Sequence, residues 1–216
     1  MAKVFGAVLG KNRGKIGQVN FWVVKGTQFN RAMPTVAKRR GTSAQLDQRQ
    51  RFRTLGKLAT AFMAASKIGL KDLMDKAYEN AISVFVQLNQ RAVTVESGEE
   101  AVDYADLLCA KGSMPEVAFG NASFSTAQTV SVTFSTDADM PGTDAQDKVY
   151  MFVYQPDSNT GILSTSVLRT TGTISLHVPA AWVGMTVHAY GFAVGAGSLN
   201  EGKISNSTYI GTGSIA

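Results

Sequence analysis

Residues 148–155 read KVYMFVYQ, and this stretch decides the fold class. Five of its eight side chains are β-branched or aromatic, the types that suit a pleated surface rather than a helix. Four more stretches carry the same period-two signature: QTVSVTFS (128–135), TISLHVP (173–179), TVHAYGFAVG (186–195) and KISNSTYIG (203–211). EVAFGNASFS (116–125) and ILSTSVL (162–168) are fainter versions. Turn signals, PGTD at 141–144 and DSNTG at 157–161, fall between them. Strands at this spacing predict an antiparallel β-sandwich over 103–216, with about seven strands and an immunoglobulin-like topology.

Upstream the period changes. Over 43–102 the sequence predicts a helical hairpin followed by a linker. Thr42 or Ser43 can cap the first helix, and Phe52, Leu55, Ala59 and Phe62 form its apolar stripe. Arg49, Arg53 and Lys57, four apart, fall on another face. Ser66 to Gly69 read as a break, and Leu70 to Val93 as a second helix. Its apolar residues, from Leu70 and Leu73 through Tyr78 to Phe85 and Leu88, cover more than the usual stripe of roughly 100°. Residues 1–42 form a basic, glycine-rich arm. Within it QVNFWVVKGTQFNRAMP (18–34) reads as two strands about a Lys25-Gly26 turn. Such a hairpin is marginal alone and needs a further surface. The predicted class is therefore α+β: a basic β-hairpin arm and an αα-hairpin followed by the sandwich.

Charge divides the 216-residue chain unevenly. Residues 1–57 hold thirteen Lys or Arg and one acid, a balance of +12, against −7 for the remainder. A split of this kind marks a basic end that meets something anionic. The segment VAKRRGTSAQLDQRQRFR (36–53) concentrates it. Lys38, Arg39, Arg40, Arg49 and Arg53 are the candidate interaction residues, for protein carboxylates first and nucleic-acid phosphate second. Phe52 is assigned to the helix core, and Phe21, Trp22 and Phe29 to the hairpin, leaving no free base-stacking aromatic.

Signals of chemistry are weak. GKNRGKIG (10–17) has three residues between its first glycines where a phosphate loop has four, and Ile16 follows Lys15 where that loop has Ser or Thr. Asp137, Asp139, Asp144 and Asp147 cluster, but Pro141 and Lys148 stand where a calcium loop needs oxygen ligands. His177 and His188 lie in separate predicted strands without a partner at ligand spacing. The single Cys109 reads as a small buried apolar residue. The expectation is a non-enzymatic protein without cofactor or metal, with no signal peptide and no membrane-spanning run.

Several motifs resemble those of a Bacteroidetes and Bacteroides-phage family of about this length. Its N-terminal signature is matched by Gly14, Lys15, Ile16 and Gly17, then by Trp22, Gly26, Arg31 and Pro34. Thr42, Gln45, Arg49 and Phe52 match its next motif, and DYADLLCAKGSM (103–114) is similar to a later one, with Ala110 where the family has Ser. Some members lie among structural genes of crAss-like phages. The resemblance implies a virion structural protein, a ring or adaptor subunit of a portal–tail complex. It would assemble in the bacterial host cytoplasm with copies of itself and with portal or tail proteins. The alternatives are a bacterial cell-associated immunoglobulin-like binding module and a non-specific nucleic-acid-binding protein.

Overall fold

A computed structural model describes residues 2–4, 13–33, 41–77, 80–96, 98–137, 142–197 and 200–216. It is mixed α+β, and every pairing between its strands is antiparallel. The chain divides into two compact units, 1–41 and 42–216.

The first unit is a four-stranded sheet. Strands β3 (Val19–Val24) and β4 (Thr27–Ala32) form the expected hairpin, flanked by β1 (Ala2–Val4) on β4 and β2 (Gly14–Ile16) on β3. The turn needs positive φ at both central residues to match the strand twist, and Lys25 (47°) and Gly26 (78°) supply it. The two flanking strands are the support that a lone hairpin lacks.

The second unit opens with four helices rather than two: α1 (Ser43–Ala61), α2 (Met63–Gly69), α3 (Lys71–Ala77) and α4 (Ala81–Leu88). Thr42 caps α1. Its Oγ1 accepts from the Gln45 amide at 3.4 Å, and the Gln45 side chain accepts from the Thr42 amide at 3.2 Å. The expected break falls at the end of α2, which stops at Gly69 with Leu70 as its C-cap before α3 begins at Lys71, although Ser66 lies within the helix. A Cβ on Gly69 would stand 2.5 Å from Ala110 Cβ and 2.6 Å from the Cys109 carbonyl oxygen. Small size there serves close packing at the helix terminus. The expected single second helix is interrupted instead at Asn80, whose side chain accepts from the Ser83 amide at 2.8 Å and starts α4. Part of the presumed linker is a hairpin, β5 (Val93–Glu96) and β6 (Glu99–Val102), turning at Gly98.

The remaining strands form two sheets. One has the order β10-β9-β13-β14, where β9 is Lys148–Gln155, β10 Thr160–Leu163, β13 Thr186–Val194 and β14 Thr208–Ser214; β11 (Val167–Leu168) also pairs with β9. The other has the order β12-β8-β7, where β7 is Ser123–Thr126, β8 Thr129–Thr133 and β12 Thr173–His177. Val130 and Val132 of β8 and Ile174 and Leu176 of β12 share a buried cluster with Val149, Met151, Val153, Val187 and Ala189. The intervening residues of β9 and β13 (Phe152, Tyr154, Tyr190 and Phe192) point the other way, into a second cluster with Leu55, Leu58, Phe62, Leu70 and Phe85 of the helices. The central sheet is thus buried on both faces. The helices and strands of 42–216 share a core, so the division expected near residue 103 does not separate two compact units. Among the described residues, no helix is long and apolar enough to cross a membrane.

Candidate functional site

Helix α1 turns Leu55, Leu58 and Ala59 toward the core, the i, i+3, i+4 spacing of one helical face. At about 100° per residue, Arg53 lies roughly 160° around the helix from Leu55. Arg49 and Lys57 extend the same line one turn to either side. These three cations, with Gln50, Thr54 and Glu100, line an open concavity of about 460 Å³. Its far wall is the β5–β6 hairpin. Gln50 Nε2 donates to the Gly98 carbonyl oxygen at 3.1 Å, and Thr54 Oγ1 donates to Glu100 Oε2 at 2.6 Å. The Thr54 hydrogen bond holds the Glu100 carboxyl below its ordinary range, helped by Gln50, Lys57 and Arg53 against a desolvation cost. Glu100 is therefore ionised and sits among cations that outnumber it. Among the described residues, the only ion pair within 4 Å is Arg169–Asp147, so Arg49, Arg53 and Lys57 have no such partner there.

Of the five candidate residues, Arg49 and Arg53 fall together on this face, while Lys38, Arg39 and Arg40 lie outside the described residues. Lys57 belongs with the pair, as its four-residue spacing signals. Gln50, Thr54 and Glu100 carry no sequence signal, because a hairpin some fifty residues away brings them together. The assignment of Phe52 to the helix core is wrong: its side chain is 46% exposed, and Leu46 is 52% exposed. The buried residues of α1 begin at Leu55, one turn after Phe52.

The other candidates have structural surroundings. Asp147 is buried, where its Oδ2 accepts from the Asp144 amide at 2.8 Å and lies 3.3 Å from Arg169 Nε. Arg169 Nη1 in turn donates to the Asp137 carbonyl oxygen at 3.2 Å. The pair fastens Asp137 and residues 144–147 to the segment after β11, and Asp139 lies outside the described residues. Among the described residues, no group of three His, Cys, Asp or Glu is placed to hold a metal. His188 Nδ1 is 3.0 Å from the Tyr209 hydroxyl, and its ring stacks on Tyr104 at 4.1 Å between centroids. Desolvation lowers the His188 pKa. His177 is exposed on β12. Cys109 is fully buried, and desolvation pushes its thiol up to about 12 against a smaller opposing effect of Ser207. Gly14–Ile16 of the glycine-rich segment pairs as a strand with Val19–Phe21 and leads into no helix.

The model of a family of unknown function, DUF6266, matches residues 11–211, so the chain belongs to that family. No curated protein and no solved structure matches the chain.

Proposed function

We propose that this member of DUF6266 is a non-enzymatic structural assembly protein that docks on acidic protein surfaces, other copies of itself included, through the cationic face of α1. The observation that carries the reading is the company those cations keep. Leu46, 52% exposed, precedes Arg49 by three residues and Arg53 by seven, so it lies on their stripe, and Phe52, 46% exposed, flanks it. Nucleic-acid binding rewards cations and stacking rings, and gains nothing from an exposed aliphatic side chain such as Leu46. A protein interface gains from arginines surrounding apolar anchors that become dry on contact. The complementary surface is present in the same chain, since residues 96–106 hold four acids besides Glu100 (Glu96, Glu99, Asp103 and Asp106) and no base. Contact between α1 of one copy and this segment of the next is heterologous and can close a ring.

Two finer readings belong with this one. The strand orders β12-β8-β7 and β10-β9-β13-β14 support an immunoglobulin-like sandwich, because in chain order they correspond to strands A-B-E and C′-C-F-G of that fold. The family resemblance supports a ring or adaptor subunit of a tailed-phage portal–tail complex, made in the host cytoplasm and resident in the virion. The test is light scattering on size-fractionated protein, alone and with portal or tail proteins. Discrete complexes are expected from the wild type. Replacing Arg49→Glu and Arg53→Glu together should abolish them while far-ultraviolet circular dichroism stays unchanged, since both side chains lie off the core face. A double variant that assembles normally, or a wild type that stays monomeric with every partner, overturns the reading.

A further inference from the structure

The first unit, residues 1–41, carries nine Lys or Arg and no acid. We propose that one face of its four-stranded sheet is a stacking platform for single-stranded nucleic acid. Side chains alternate faces along a strand. The register sets Trp22 opposite Phe29, and Asn20 opposite both Arg31 on β4 and Lys15 on β2. Those residues share one face; Val19, Phe21 and Val23 lie on the other.

On the first face Trp22 and Phe29 are stacked, with ring centroids 5.9 Å apart and planes inclined by 17°. Both rings are half-buried, so the sheet holds them while leaving aromatic surface accessible. Two residues along, about 7 Å at 3.4 Å per residue, the row Lys15–Asn20–Arg31 crosses the sheet, and all three residues are exposed. A near-parallel aromatic pair beside a row with a cation at each end is the combination that binds unpaired nucleotides. The base stacks on the rings, and the backbone phosphate meets Lys or Arg. Stacking is sequence-tolerant, because every base has a π-face, and it requires a base free of its complement. Trp22 and Phe29 thus have a second use besides holding the hairpin together. This surface shares no residue with the cationic face of α1.

A thymidine 20-mer titrated into the full-length protein tests the proposal through tryptophan fluorescence. The chain has two tryptophans, and Trp182 is buried at 5% exposure, so quenching by stacked bases reports Trp22. Partial quenching and salt-sensitive affinity are expected. Read by oligonucleotide anisotropy, Trp22→Ala and Phe29→Ala should each weaken binding between about fivefold and 150-fold. Trp22→Phe, which keeps an aromatic surface, should bind nearly as the wild type does. Lys15→Gln and Arg31→Gln, at exposed positions, should each lower the slope of log affinity against log salt by about 0.7. A duplex of equal length should bind more weakly. Absence of binding at low salt, binding without quenching, tighter binding to the duplex, or affinities untouched by both alanine variants overturns the proposal.

Discussion

Phe62 is the residue on which the union of helices and sheet depends, and its truncation tests that union. The side chain is fully buried between α1 and α2. Its ring lies 5.2 Å from Phe85, 4.7 Å from Phe152, 5.0 Å from Tyr154 and 5.4 Å from Tyr190, one helical aromatic and three from the central sheet. Phe→Ala in a core costs about 3–5 kcal/mol, and aromatic contacts add about 0.5–1.5 kcal/mol each beyond area burial. With four such contacts, the expected loss for Phe62→Ala lies at the upper end, about 4–5 kcal/mol. At a urea m-value of about 2 kcal/mol per M, the midpoint should fall by about 2 M. The loss should appear in the single transition of residues 42–216, followed by fluorescence and circular dichroism together. By the same reasoning a fragment spanning 103–216 should not fold alone, although its strand pattern is continuous. It would expose Phe152, Tyr154, Tyr190 and Phe192, all nearly fully buried in the whole chain. A midpoint shift below about 0.5 M at unchanged m, or a fragment with a cooperative transition of its own, would refute the shared core.

Two further outcomes concern buried titratable groups. Burial lowers the His188 pKa, so the folded ring stays neutral where the unfolded ring, near pH 6.5, takes up a proton. Stability from this source is full above that value and is lost as pH falls through the lower folded value; His188→Gln should flatten the urea midpoint between pH 7 and pH 5, and an unchanged slope would show that the ring is not responsible. Cys109, with its thiol pushed up to about 12 and no exposed surface, should resist alkylation in the native protein and react at the rate of opening of residues 42–216; rapid labelling without denaturant would contradict its burial.

The parts of the fold readable from sequence were those where one local rule acted without competition. KVYMFVYQ and TVHAYGFAV form strands at 148–155 and 186–194 because β-branched and aromatic residues dominate both runs. The Lys25-Gly26 turn followed from glycine between two apolar runs. The misreadings came where two roles share one residue type. Gly69 ends α2 as a helix breaker would, but its bare Cα also admits Ala110, a packing role that the sequence does not show. Asn80 starts a helix in the middle of an apolar set wide enough to hide the boundary. The β5–β6 hairpin was missed because Val93 and Val95 alternate with exposed residues over only four positions. At the candidate site the Arg49–Arg53 pair was visible from spacing. The exposure of Phe52 was not, because helical periodicity places a residue on a face without saying where along the helix that face becomes covered.

Where the chain divides changes what its charge asymmetry means. Cut at residue 57, the sequence opposes +12 to −7; cut between its compact units at residue 41, it opposes +9 to −4. The four cations of α1 therefore belong to an acidic body, not to the basic arm. In the proposed docking, a local cationic stripe on an otherwise acidic unit would meet the acidic surface of another copy, while the rest of the two bodies would repel. Such a pattern favours one mutual orientation over all others, which is how charge confers specificity more than affinity. The arm lacks that contrast. With no acid to orient a protein partner, its field attracts any polyanion, and selectivity must come from what lies between the cations. There the pairing of Trp22 with Phe29 offers two stacked rings, whereas α1 offers an aliphatic side chain, Leu46, with the single ring of Phe52. The two basic surfaces that look continuous in the sequence thus differ in their apolar companions, and it is on those companions that the proposals of unpaired bases for the arm's sheet and another protein for α1 rest.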